Sequence, residues 1–380
     1  MEHILAKETP KLGFGLMRLP KKDGQFDLAL IADMIDTYMK SGFTYFDTAY
    51  VYAEGQSESI AGELLVKRYP RNSFQLATKM PLWLVNETAD LERIFSEQLI
   101  RTGTGYFDFY LLHGVNGRTS DRFPGSGTDR IEKFDAWNFL RQKKAEGKIK
   151  HIGFSFHGTA EVLEDLLKKQ PDTEFVQLQI NYADWEDDVI QSRQCYEIAR
   201  HHNLPIIVME PIKGGTLVKL RPDVEKLFRQ ANPGASLASW AIRYAASVDG
   251  ILTVLSGMSD MEQMQDNISY MKDFKPINDS EQKVIETVRQ RLGDIDSIGC
   301  TACRYCTDDC PMEIDIPHFF EIANDYKMYE DMGYSKNRYD NFTKNKTRAS
   351  GCIACGSCES HCPQSLPIIK LLKQTAELFE

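Results

Sequence analysis

The sequence lacks both an excess of positive charge and any long apolar run. Its 380 residues include 45 Lys and Arg against 55 Asp and Glu, a net charge of −10, whereas nucleic-acid binders concentrate cations to neutralise phosphates. No stretch reaches the roughly 18 consecutive apolar residues of a membrane-spanning helix, and the N-terminal MEHILAKETPKLG lacks the apolar core of a signal peptide. These absences exclude nucleic acid and membrane as partners and predict a soluble, cytoplasmic protein.

Cysteine is nearly absent from the first 299 residues, where Cys195 stands alone. The other eight of the nine cysteines lie in CTACRYCTDDCP at 300–311 and GCIACGSCESHCP at 351–363. In a reducing compartment such clusters bind metal or do redox work rather than form disulfides. Cys195, in SRQCYEIARHHN, is expected to be a buried helical residue without a chemical role.

Both cysteine groups have the spacing C-x2-C-x2-C-x3-C-P, the run found in bacterial [4Fe–4S] ferredoxins. Three thiolates at intervals of three can hold three corners of a cubane, while the fourth points toward a second cluster. We therefore predict two [4Fe–4S] clusters, one held by Cys300, Cys303, Cys306 and Cys362, and the other by Cys352, Cys355, Cys358 and Cys310. Zinc is the alternative, but tetrahedral zinc sites use two ligand pairs and would leave the middle cysteine of each triplet unused.

Upstream, short β-branched and aromatic runs alternate with amphipathic segments of helical period, which is the pattern of repeated βα units. Eight consecutive units predict a closed (β/α)8 or TIM barrel. An open doubly wound sheet is the alternative, but the sequence lacks the Gly-rich dinucleotide turn that would follow its first strand. The eight strand-like runs are GFGLMRL, TYFDTAY, FQLATKM, FDFYLLH, KHIGFS, FVQLQIN, PIIVMEP and ILTVLSG.

This pattern divides the chain into two predicted domains. The barrel would occupy residues 1–293, and a small, mainly helical iron–sulfur domain would occupy residues 294–380. Within the latter, SKNRYDNFTKNKTR is expected to be a solvated, charged connector. NGRTSDRFPGSGTDR, residues 116–130, predicts a long loop after the fourth strand, on the barrel face that carries catalytic sites.

Four polar residues fall at that same face. Asp47 ends the second strand-like run and Tyr52 lies in the loop after it, while Lys79 and His113 end the third and fourth runs. The ammonium of Lys79 would favour the phenolate of Tyr52, whose unperturbed pKa is about 10. Asp47 would orient Lys79, and His113 would hydrogen-bond a carbonyl oxygen. Tyr52 would then supply the proton when a hydride reduces a carbonyl to an alcohol.

With these four residues in LGFGLMRLP, GFTYFDTAYVY, ATK, YFDFYLLHG, HIGFS and VLSGM, the chain resembles the aldo-keto reductase family over about residues 10–275. The resemblance implies a barrel enzyme that uses a nicotinamide cofactor without a Rossmann domain, on a small carbonyl or alcohol substrate. The family's Asp, Tyr, Lys and His fall on the four residues above. The tail resembles the dicluster ferredoxin domains, although 41 residues separate Cys310 from Cys352, which is more similar to the α-helical ferredoxins.

The resemblance also implies contacts to the cofactor. Ser155 would hold the carboxamide, Gln177 matches a family glutamine at the sixth strand, and Met209 lies where many members stack a tyrosine on the nicotinamide. The pyrophosphate loop would be Lys213, Gly214 and Gly215, and Asn267 would contact adenine. Gly257 and Gln263 stand where other members have cations for the 2′-phosphate of NADPH, so the resemblance favours NADH over NADPH.

Nicotinamides move two electrons as hydride, whereas iron–sulfur clusters pass them singly, and the sequence has no flavin signature that would bridge the two. Three interpretations therefore stay open. The preferred one is an oxidoreductase whose clusters exchange electrons with a partner protein. The others are a plain aldo-keto reductase with structural clusters, and a binding protein that senses nicotinamide redox state.

Overall fold

The computed structural model describes residues 9–117, 127–293, 297–329 and 332–380. By its internal contacts the chain divides into two compact units. Within the described residues, the first (the barrel unit) comprises 9–117, 127–211 and 238–277, and the second comprises 212–237, 278–293, 297–329 and 332–380. The second unit therefore includes a segment from the middle of the chain. The domain boundary at residue 293 stays a prediction.

Eight parallel strands close into a barrel, which confirms the predicted fold class. They are β1 (Leu12–Gly15), β4 (Tyr45–Asp47), β5 (Gln75–Met80), β6 (Phe107–Val115), β7 (Ile149–Phe156), β8 (Phe175–Gln179), β9 (Ile206–Met209) and β10 (Ile251–Ser256), with a separate hairpin of β2 (Lys21–Lys22) and β3 (Gln25–Phe26). Strand β1 closes the circle by pairing with β4 and β10. The interior is filled by side chains that include Tyr45, Phe109, Phe175 and Leu252, so the barrel is a packed core whose carboxyl end can carry a site.

Amphipathic helices form most of the remaining structure. They are α1 (Leu28–Lys40), α2 (Ser57–Ala61), α3 (Ala89–Thr102), α4 (Thr128–Lys133), α5 (Ala136–Ala145), α6 (Ala160–Lys169), α7 (Ser192–His201), α8 (Pro222–Ala231), α9 (Leu237–Ser247), α10 (Met261–Met271), α11 (Asp279–Gly293), α12 (Ile316–Tyr329), α13 (Met332–Phe342), α14 (Ser357–Ser360) and α15 (Ile368–Phe379). Helix α1 is typical: Asp27 caps its first turn by accepting a 3.0 Å hydrogen bond from the Leu30 amide, and its buried face includes Ile31, Met34 and Tyr38. Among the described residues, no helix is both long and apolar enough to cross a membrane.

The second unit has its own core, in which cysteines take part. Helix α8 packs against α11, and Val224 and Phe228 on α8, like Ile285 and Val288 on α11, are buried. Around the cysteine groups, Cys306, Cys358 and Cys362 are buried among apolar side chains such as those of Phe319, Phe320, Leu372 and Phe379. The predicted, mainly helical character of the C-terminal region is confirmed.

Two expectations about irregular segments need correction. The predicted connector SKNRYDNFTKNKTR lies largely in helix α13, where Tyr339 is fully buried, stacks on Phe379 with ring centroids 5.3 Å apart and accepts a 3.0 Å hydrogen bond from the Ala349 amide. The prediction was wrong because one aromatic anchor holds a helix whose other residues are mostly polar. The predicted loop 116–130 gives way to helix α4 at Thr128, and residues 118–126 lie outside the described part of the chain.

Candidate functional site

The four polar residues predicted to act together meet at the carboxyl end of strands β4, β5 and β6. Lys79 Nζ lies 2.5 Å from Asp47 Oδ1 and 2.8 Å from the carbonyl oxygen of Thr48, to which it also donates. The same nitrogen is 4.6 Å from the centroid of the Tyr52 ring. The Tyr52 and His113 rings are 5.6 Å apart between centroids and nearly perpendicular. The parallel register produces this arrangement, since the carboxyl ends of neighbouring strands share one edge of the barrel.

Burial dominates the electrostatics of these residues. Desolvation raises the pKa of Asp47 and lowers that of Lys79, while the attraction between the two charges opposes both shifts. Burial also holds the pKa of His113 well below its ordinary value, and repulsion from Lys79 and His157 adds to the effect. His113 is therefore a neutral imidazole near neutral pH, in which one ring nitrogen carries a proton.

Behind Lys79 lies a buried carboxylate that the sequence analysis missed. Glu58, on helix α2, accepts hydrogen bonds from Thr78 Oγ1 at 2.6 Å and from Gln98 Nε2 at 2.7 Å. Gln98 Nε2 also donates to the Lys79 carbonyl at 3.0 Å. This network fixes the backbone of β5 at the residue that presents the ammonium, and the charge of Glu58 favours protonated Lys79. The signal was a Glu six residues after Tyr52, but nothing in a single sequence marks it as buried.

Three of the predicted cofactor residues lie on the neighbouring strands β7, β8 and β9. Ser155 on β7 is in register with Gln177 on β8, and Ser155 Oγ accepts a 2.8 Å hydrogen bond from the Gly114 amide. Gln177 Nε2 is 3.5 Å from Met209 Sδ on β9. The buried Gln177 Oε1 has no hydrogen-bond partner among the described residues, so it can accept from a ligand such as a carboxamide.

The residues near β10 form a second group within the barrel unit. Asn267 on α10 is buried, donates to the Gln263 carbonyl at 2.9 Å, and leaves Oδ1 without a hydrogen-bond partner in the described part of the chain. Such an acceptor suits an amine like that of adenine. Gln263 is engaged locally, because its Nε2 donates to Asp260 at 2.7 Å and its Oε1 accepts from the Ser259 amide at 2.9 Å. Gly257 follows strand β10 directly.

The predicted pyrophosphate loop lies in the second unit. Lys213, Gly214 and Gly215 all have positive φ, of 48°, 65° and 104°. A Cβ atom on Gly214 would lie 2.2 Å from the carbonyl oxygen of Thr301, so this loop touches the residue next to Cys300. The structure therefore packs these three residues against the start of the first cysteine group.

The cysteines gather in two places within the second unit. Burial, followed by repulsion from Cys303, Cys300, Cys362 and Cys358, raises the pKa of Cys306, so these thiols lie close enough to act on one another electrostatically. The other four line one cavity with apolar residues; its lining includes Cys310, Cys352, Cys355, Cys358, Pro311, Ile369 and Leu372. Cys310 of the first group thus lines a cavity with the triplet of the second group, and Cys362 of the second group acts on Cys306 of the first, which is compatible with two shared cubanes.

Comparison with known proteins identifies both parts of the chain. The model of the aldo/keto reductase family matches residues 11–290, well over half of the sequence. The chain belongs to the aldo/keto reductase family. The model of the 4Fe-4S dicluster domain matches residues 299–366, so this aldo/keto reductase carries a C-terminal iron–sulfur domain, as predicted.

Among relatives of this aldo/keto reductase, the uncharacterized oxidoreductase YqkF of Bacillus subtilis is 22% identical over 292 residues, which cover 69% of this chain and 87% of that protein. Two solved structures share the fold. An aldo-keto reductase from Klebsiella pneumoniae in complex with NADPH has a TM-score of 0.59 at 20% identity and covers 74% of this chain and 91% of its own. An aldo-keto reductase from Bacillus halodurans in its holo form has a TM-score of 0.59 at 23% identity, with coverage of 73% and 91%.

Proposed function

We propose that this aldo/keto reductase interconverts a small carbonyl compound and the corresponding alcohol, using NADH or NADPH. The observation that carries the proposal is the convergence of Asp47, Tyr52, Lys79 and His113 at the carboxyl end of the barrel strands. The nicotinamide, when bound, supplies a hydride for the carbonyl carbon. The chain's own residues then have to hold the carbonyl oxygen and deliver a proton to it.

We assign Tyr52 as the proton donor and His113 as the residue that orients the carbonyl. A neutral His113 can donate its N–H to the carbonyl oxygen without competing for the proton. The Lys79 ammonium, beside the Tyr52 ring, stabilises the negative charge that the phenolic oxygen acquires as its proton leaves. Asp47 holds Lys79 in place through their buried ion pair.

The cofactor contacts follow from the rim. We propose that Ser155 and Gln177 bind the carboxamide and that Met209 packs on the nicotinamide ring, while Asn267 binds adenine. The buried, unsatisfied oxygens of Gln177 and Asn267 support this assignment. Lys213, Gly214 and Gly215 would border the pyrophosphate, and Gly257 and Gln263 the 2′ position. The aldo-keto reductase from Klebsiella pneumoniae was solved in complex with NADPH, so both NADH and NADPH are candidate cofactors of this chain.

The Tyr52→Phe variant tests the catalytic assignment. Because it removes the proton donor and little else, the turnover number should fall about 100-fold or more, while cofactor binding measured by fluorescence titration is retained. Tyr50→Phe is the matched control: Tyr50 lies in the same loop but donates to Glu97 at 2.6 Å, and turnover should be nearly unchanged. Retained turnover in Tyr52→Phe would refute the assignment. Full cofactor binding by a wild-type protein without turnover on any carbonyl or alcohol would favour the redox-sensing alternative.

We further propose that two [4Fe–4S] clusters pass single electrons to or from a redox partner protein in the cytoplasm. One would be held by Cys300, Cys303, Cys306 and Cys362, the other by Cys352, Cys355, Cys358 and Cys310. The electrostatic effect of Cys362 on Cys306 and the cavity that Cys310 shares with the second triplet support this assignment. Anaerobic stopped-flow mixing with NADH, with and without added flavin, should bleach the cluster absorbance. Absence of bleaching in every condition would contradict electron coupling. That result would favour clusters with a structural role. The burial of Cys306, Cys358 and Cys362 in the core is consistent with such a role.

A further inference from the structure

Arg18 lies across the rim between the ends of three barrel strands. It follows β1, and a Cβ atom placed on Gly257, just after β10, would be 3.8 Å from its guanidinium. Its carbonyl oxygen accepts a 2.9 Å hydrogen bond from the Ser259 hydroxyl. Its Nη2 is 3.7 Å from Oε1 of Glu210, the residue after β9, and one third of the side chain, 33%, is exposed. All four residues belong to the barrel unit.

This position is next to Gly257, one of the two positions at which the expected cations are missing. Gly257 and Gln263 stand where the family resemblance puts cations for the 2′-phosphate, and the Gln263 amide is already engaged by Asp260 and Ser259. A glycine at 257 leaves the space beside it open to a side chain from another strand. The guanidinium of Arg18 borders that space, and a guanidinium is well suited to bind a phosphate.

We propose that Arg18 binds a phosphate of the nicotinamide cofactor, foremost the 2′-phosphate of NADPH, and replaces the cations missing at Gly257 and Gln263. The pyrophosphate of the cofactor is the other phosphate group that Arg18 could bind. The proposal rests on the nicotinamide site of the proposed function and deepens it, because it makes Arg18 a determinant of cofactor choice. The preference for NADH inferred from the sequence would then be weaker than the absence of those cations suggests.

Glu210, which lies beside Arg18, allows a second test of the phosphate contact. Its carboxylate is 3.7 Å from the guanidinium and carries the same sign of charge as a phosphate. An incoming phosphate must therefore share Arg18 with this carboxylate. Removing the charge of Glu210 should strengthen phosphate binding, whereas removing Arg18 should weaken it, and a merely structural role for the pair would not produce opposite signs.

The experiment is a fluorescence titration of the full-length, cluster-containing protein with NADPH and with NADH, in the absence of oxygen. In Arg18→Ala, the dissociation constant for NADPH should rise about 10-fold, the usual loss for a hydrogen bond to a charged group, with little change for NADH. An equal rise for both cofactors would assign the pyrophosphate instead and would still support a phosphate contact. In Glu210→Gln, the dissociation constant for NADPH should fall about 2- to 5-fold.

Arg141→Ala is the matched control, because Arg141 also pairs with a carboxylate, that of Asp172, at 2.6 Å. Asp172 precedes strand β8, so this pair lies at the opposite end of the barrel strands. It should bind both cofactors like wild type. Unchanged binding of both cofactors in Arg18→Ala, with a thermal transition like that of wild type, would overturn the role of Arg18 while leaving the proposed function intact. Failure of the wild-type protein to bind either cofactor would overturn both.

Discussion

At the scale of single residues, Lys79 is the most constrained side chain of the candidate site. It is fully buried, and its ammonium contacts the Asp47 carboxylate and the Thr48 carbonyl. Burying a charge costs free energy unless a partner compensates it. Because water is excluded, the attraction between the two charges is strong, and leaving either charge without the other would be costly.

Asp47→Asn should consequently destabilise the protein as well as inactivate it. The change leaves the buried Lys79 charge without the carboxylate that it contacts directly, which is expected to lower the free energy of unfolding by about 3–5 kcal/mol. Urea unfolding followed by tryptophan fluorescence measures this. Asp249→Asn is the control, since Asp249 pairs with Arg200 at 2.8 Å but is largely exposed, and it should cost at most about 1 kcal/mol. Equal losses in the two variants would contradict the role assigned to burial.

His113 makes a prediction about pH. Its pKa in the folded protein lies below that of an unfolded histidine, about 6.5, so between these values the unfolded state binds the additional proton. This contribution to stability is complete above the unfolded pKa and is lost as the pH falls toward the folded pKa. The free energy of unfolding should thus decrease between about pH 7.5 and 5.5, and the decrease should be smaller in His113→Gln. An identical pH dependence in the variant would show that His113 is not the group responsible.

The residues that sequence reasoning found and those that it missed differ in one respect. Asp47, Lys79 and His113 follow recognisable strands, so their position along the chain predicts that they meet. Glu58 and Arg18 contact neighbours far away in sequence, such as Gln98 and Glu210. No local pattern indicates such contacts, because they depend on the relative placement of whole strands and helices.

At the scale of elements, the barrel strands were predictable because each is a short buried run between turns and amphipathic helices. Helix α13 was not, because only Ser335 and Tyr339 are buried along it and the remaining sequence is polar. The packing of the segment after β9 into the second unit was also not visible, since it rests on tertiary contacts such as that between Gly214 and Thr301.

Gly214→Ala tests that contact. Its φ of 65° already disfavours a side chain, and the Cβ would overlap the Thr301 carbonyl oxygen at 2.2 Å, so the backbone beside Cys300 must move. We expect reduced iron content and a weaker cluster absorbance. Gly215→Ala is the control, because the φ of Gly215, 104°, is also positive but a Cβ there meets nothing within 4 Å. Backbone strain should lower the stability of this variant by about 1–3 kcal/mol, but the variant should keep its iron. Equal iron loss in both would mean that strain alone is responsible.

At the scale of the whole molecule, iron removal should affect the two units differently. The second unit buries Cys306, Cys358 and Cys362 within its core, and metal ligands that form part of a core couple binding to folding. Chelation under reducing conditions should therefore lower the helical circular-dichroism signal and open residues of this unit to protease, while barrel fragments persist. Cys195→Ala should retain its iron, since this buried thiol lies in the barrel unit, on helix α7. A chelated protein with unchanged helicity and protease resistance would contradict this coupling.

The membership of residues 212–237 in the second unit also bears on how such a protein could be rebuilt. A chimaera that joined only residues 294–380 to a foreign barrel would omit helix α8 and its partner α11, and would present Thr301 to a loop of unrelated shape. Transplantation would require at least two grafts, at separate positions of the recipient chain. In the part of the chain that the structure describes, the second unit is thus assembled from two separate parts of the sequence, and neither part alone contains all of it.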